Sequence, residues 1–108
     1  MKVFKNCTCY YSNLDGSSGE NKGVVSFDGT KIRVTIAALE EDWSGKQDSP
    51  GHFKLWQKLN DWADLHMFPG EPGTSGCTSL VGKYRMIAGP DVSRGLWEIT
   101  LSKNVVES

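Results

Sequence analysis

The sequence of 108 residues has no long apolar run. No stretch approaches the ~18 residues that a membrane-spanning helix requires. Lys2 and Lys5 are followed by no apolar segment, so the N-terminus does not read as a secretory leader. The expected compartment is therefore the cytoplasm. Net charge is nearly absent as well, at −1, which argues against a dedicated duplex-DNA binder with one basic face. Cysteine is scarce and odd in number, with Cys7, Cys9 and Cys77. This fits reduced thiols rather than a disulfide framework. There is no internal repeat and no cofactor fingerprint. The glycine-rich run 70–76 has no Gly-Lys-Ser or Gly-Lys-Thr ending, which excludes a phosphate loop. The expected cofactor set is empty.

What remains is enough for one domain with a real core. The charge is polarised along the chain. Residues 40–71 hold seven acids and three bases, and the rest holds six acids and nine bases.

Residues 3–11 are rich in aromatic and β-favouring types and predict a strand. Val24, Val25 and Phe27 lead into Asp28-Gly29, followed by Ile32, Val34 and Ile36 alternating with Lys31, Arg33 and Thr35. That period of two predicts a β-hairpin with one buried face. Leu55, Leu59, Trp62 and His66 recur at helical spacing. With Asp48 or Ser49 as cap, Pro50 in the first turn and Phe68-Pro69-Gly70 as terminator, they predict an amphipathic helix over about 50–67. Two more strands follow over 80–87 and 96–101, with turn chemistry at Gly89-Pro90-Asp91 and Arg94-Gly95. Loops are expected near 13–23, 44–51 and 69–76, and a short tail over 103–108.

Strands grouped around one helix predict a single α+β domain. It would hold an antiparallel sheet of about five strands, packed on one face by the helix. Ile32, Val34, Ile36, Trp97, Ile99 and Leu101 would be buried against Leu55, Leu59 and Trp62.

No catalytic constellation stands out, so the expected role is a small non-enzymatic binding or regulatory protein. It would act by protein–protein contact, with inhibition of a partner among the roles that such contact serves. Aromatic residues beside loops and acids would carry it: Glu40, Glu41, Asp42, Trp43, Phe53, Trp56 and Phe68. An alternative is single-stranded nucleic-acid binding, with Lys31, Arg33, Lys83 and Arg85 forming one basic sheet face. A third class is a zinc or thiol site using Cys7, Cys9 and Cys77 with His52 or His66. Its bland counterpart is that Cys7 and Cys9 pack as small apolar side chains. Glu40-Glu41-Asp42 lack the ligand spacing of a calcium loop. The partner's identity and the oligomeric state are not encoded in any pattern of the sequence.

Overall fold

The computed structural model describes residues 1–58, 60–70, 77–88, 90–103 and 105–107. It is built of strands: β1 (Lys2–Asn13), β2 (Ser18–Asp28), β3 (Lys31–Ile36), β4 (Glu41–Ser49), β5 (His52–Gln57), β6 (Asp61–Phe68), β7 (Ser79–Ala88), β8 (Asp91–Thr100) and β9 (Val105–Glu107). The helical element among the described residues is one 3-10 turn, Ala37–Leu39. Each strand pairs antiparallel with the next in sequence, from β1 to β8, and β8 pairs back onto β1. The result is a closed eight-stranded up-and-down barrel, and the expected α+β sheet with a covering helix is overturned.

The correction falls on residues 50–67. Pro50 and Gly51 make a turn, with Gly51 at φ 75°. His52↔His66 through Gln57↔Asp61 then pair as a hairpin. Phe53, Leu55, Ala63 and Leu65 point inward and are buried, a period of two rather than 3.6. Trp56 and Trp62 face outward, and these exterior aromatics hide the alternation. Leu59, part of the expected helical stripe, lies outside the described residues.

Other boundaries shift too. The expected linker 44–51 is mostly β4, and all of 18–23 belongs to β2. In the expected tail, β9 pairs with Lys2, Val3 and Phe4. Residues 71–76 of the third expected loop lie outside the described residues. The hairpin of β2 and β3 forms as its alternation implies. Its two-residue loop is Gly29-Thr30, closed by Asp28↔Lys31, so the glycine takes the first position at φ 61°.

Ile32, Val34, Ile36, Trp97, Ile99 and Leu101 are buried as expected, but against the far wall of the barrel. Closure in so short a chain demands sharp strand coiling, and glycines supply it. A Cβ on Gly45 would collide with the Lys54 carbonyl oxygen of the neighbouring strand, and one on Gly82 with that of Asp64. In β1 a bulge lies between Phe4 and Cys7, with Asn6 at φ 58°. It divides the strand into a first part paired with β9 and a second paired with β8.

Candidate functional site at the open end of the barrel

Alternation decides what the barrel encloses. One end is filled by aromatic rings: Phe4 and Phe27 meet edge to face at 5.9 Å, and Phe27 and Phe53 at 5.6 Å. The other end carries the β1–β2, β3–β4, β5–β6 and β7–β8 connections and holds a cavity of about 210 Å³. An eight-stranded barrel has just enough interior for side chains or one small ligand. Here both are present, with fill below and space above.

Trp43 and Trp97 form one wall, with ring centroids 5.2 Å apart, and Tyr84 meets Trp97 edge to face at 6.3 Å. Glu41, two residues before Trp43 and on the same inward face, is half-buried in the lining. Its Oε1 accepts the Trp43 Nε1–H at 2.9 Å. Burial pushes the Glu41 carboxyl above its ordinary range, and the charge of Asp61 adds to this against the opposing Trp43 hydrogen bond.

Asp61 is 2% exposed and accepts the Ile87 N–H at 2.8 Å and a Gln57 Nε2–H at 3.2 Å. The Gln57 oxygen in turn accepts the Asp42 N–H at 3.2 Å. The three bonds tie the β4, β5, β6 and β7 ends of the mouth together.

The β1–β2 turn supplies the opposite rim. Asp15 accepts from the Ser17 N–H at 2.9 Å and from its hydroxyl at 2.6 Å. The Asn13 amide donates to Ser17 Oγ at 2.9 Å. Asn13 is a residue of the cavity lining, and its remaining amide oxygen is shielded from solvent and has no hydrogen-bond partner among the described residues. A buried acceptor left this way costs roughly 1–3 kcal/mol until something donates to it.

The expected partner-binding residues do not share a surface. Trp43 is 1% and Phe53 4% exposed, both inside the barrel. Glu41 lines the cavity. Glu40 is exposed at φ 54°, closing the 3-10 turn. Asp42 faces outward and takes a two-pronged bond from Arg33, at 2.9 and 2.6 Å. That bond holds its carboxyl below the usual range. Trp56 and Phe68 are exposed on the exterior, at 48% and 55%.

The basic quartet is divided. Lys31 and Arg33 stand on β3, and Lys83 and Arg85 on β7, four strands away in either direction round the barrel. They cannot form one face, so the nucleic-acid reading loses its patch. A concavity of about 430 Å³ does run along the exterior of β2 and β3. Its Arg33 is already engaged by Asp42.

Cys7 and Cys9 are buried core residues at 0% and 1% exposure. The Cys7 thiol donates to the Phe4 carbonyl at 3.3 Å. Burial, with Cys7 beside it, pushes the Cys9 thiol up to about 12, so it is no nucleophile at neutral pH. Burial likewise pushes the Tyr84 phenol up to about 12.

Tyr11, Asn13, Tyr84 and Trp97 are the cavity residues that sequence reasoning did not group together. Their signal was inward parity on β1, β7 and β8, legible once those strands are aligned. Among the described residues no helix is long and apolar enough to cross a membrane. Comparison with protein-family models, with curated proteins and with solved structures finds no match.

Proposed function

We propose that this barrel binds one small amine-bearing organic molecule in its open end, as a non-catalytic binding protein. The observation that carries the reading is the half-buried Glu41 carboxyl set among Trp43, Trp97 and Tyr84 in a cavity of about 210 Å³. A desolvated carboxyl is costly to ionise alone. An ammonium beside it restores the charged form and gains attraction from the ring faces. Size adds a further limit. The cavity falls below the ~300–1,000 Å³ of drug-sized sites, so the ligand is a compact amine with a flat or apolar body.

The test is a titration of small aromatic and aliphatic amines, each paired with its neutral hydroxyl analogue. Tryptophan fluorescence and thermal unfolding report binding, since Trp43 and Trp97 line the cavity. Amines should quench fluorescence and raise the melting temperature, while the neutral analogues do neither. Glu41→Gln keeps an acceptor for the Trp43 N–H and should weaken amine binding at least tenfold. Equal binding by the variant, or no saturable binding by any amine at millimolar concentration, would overturn the reading.

A further inference from the structure

On the exterior, at the opposite end from the cavity, β5 and β6 bring two histidines into register. His52 and His66 are direct cross-strand partners. Their rings stack with centroids 4.4 Å apart and planes 9° from parallel. Asp64 lies two residues before His66, so the same outward parity puts its carboxylate beside them. One donor atom from each of the three lies within 4.8 Å of the others. His52 Nε2 is bonded to Asp64 Oδ1. His52 Nδ1 lies 2.6 Å from Asp48 Oδ1, and Lys54 Nζ stands 3.5 Å from the other Asp48 oxygen.

We propose that His52, Asp64 and His66 bind one first-row divalent transition-metal ion, with Zn2+ as the best-fitting cation. Two imidazoles and one carboxylate are a nitrogen-rich set that suits zinc and its neighbours, not the all-oxygen preference of Mg2+ or Ca2+. Three protein ligands leave a fourth position for water.

The outer contacts match what a metal-bound histidine requires. A ligating histidine donates its other ring N–H to a carboxylate, which fixes the tautomer and the ring orientation. Asp48 already occupies that place on Nδ1, leaving Nε2 to face Asp64 and His66. On binding, the ion takes the Nε2 lone pair of His52. The proton that Nε2 shares with Asp64 passes to solvent, and Asp64 Oδ1 changes from hydrogen-bond acceptor to ligand. Donors at ~2.1 Å from one ion stand ~3–3.5 Å apart. The exposed His66 ring closes that gap by side-chain rotation, and the paired strands stay in register.

The test uses the full chain, stripped of metal with a chelator and titrated with ZnCl2 or MgCl2 by calorimetry. One equivalent of zinc should bind, and magnesium should not. His66→Gln and Asp64→Asn should each weaken zinc binding at least tenfold. Asp48→Asn, which touches no ion directly, should weaken it by about 10–100-fold. Cys77→Ser should bind as the wild type does, which separates this site from adventitious thiol binding. His66 is exposed, so its variant keeps the fold and remains informative if another does not. Absence of saturable zinc binding overturns the site. So does zinc binding that survives both ligand variants or disappears in Cys77→Ser.

Discussion

Glu40, Glu41 and Asp42 are consecutive acids with three different fates. Glu40 takes a left-handed backbone at the end of the 3-10 turn, Glu41 goes inward and Asp42 goes outward to Arg33. A run of acids reads as solvated when only composition is considered. The strand that starts at Glu41 sorts them by parity, and this gives Glu41 a pH signature. Its carboxyl is raised in the folded chain by burial, so the native state holds its proton more tightly than the unfolded state does. Stability linked to this group is complete below the ordinary carboxylate range and is lost as pH rises through the raised native value. Carboxyls with lowered values, such as Asp42 and Asp15, slope the other way, so the comparison must be between variants. Relative to wild type, Glu41→Gln should gain stability as pH climbs from the ordinary carboxylate range through the raised native value, then level off. Urea unfolding at a series of pH values checks this. A constant difference between the two proteins would show that Glu41 titrates alike in both states.

Elements differ in how plainly they are written. β3 and the inward residues of β8 were legible because their apolar residues sit on one face and polar ones on the other. The β5–β6 hairpin was not, because Trp56 and Trp62 face outward while Phe53, Leu55, Ala63 and Leu65 face inward. With apolar side chains on both faces, helical and strand spacings fit about equally well. Pro50 misled for a related reason, since it suits both a first helical turn and a tight turn before glycine. Gly45 is the clearest case in which composition points to a linker and packing to a strand. It is an interior residue of β4, where the Lys54 carbonyl occupies the space of a Cβ. That obstacle is backbone and cannot rotate away. Gly45→Ala should therefore cost at least the ~1–3 kcal/mol typical of overpacking. The measurement is the urea midpoint, with an unchanged m value showing that the barrel still unfolds as one unit. A midpoint equal to wild type would mean that β4 and β5 approach less closely than described.

Closure is a property of the whole molecule. Residues 8–13 of β1 pair with residues 95–100 of β8, the two ends of the chain meeting across the seam. A closed barrel has no free edge along this seam, whereas an open sheet exposes a row of unpaired amides. Amide hydrogen exchange therefore distinguishes the two. Amides bonded across the seam should exchange at rates close to those of the β3–β4 pair, near the global unfolding limit. Fast exchange confined to residues 8–13 and 95–100 would describe an open sheet instead. The seam also joins contacts of high sequence separation, so it carries the largest loop-closure cost in forming the fold.

The sequence by itself determined the class of much of the backbone, the β2–β3 hairpin and the buried set from Ile32 to Ile36 and from Trp97 to Leu101. Those follow from local alternation and turn chemistry, which act over a few residues. Only the tertiary structure decided that the sheet closes, because pairing β1 with β8 depends on coiling accumulated over all eight strands. Closure turned Trp43 from an expected surface anchor into a cavity wall and set Glu41 beside it. It also put Lys31 and Arg33 on the far side from Lys83 and Arg85. His52 and His66 were visible as isolated histidines. Their meeting with Asp64 required the register of β5 on β6, which helical spacing concealed.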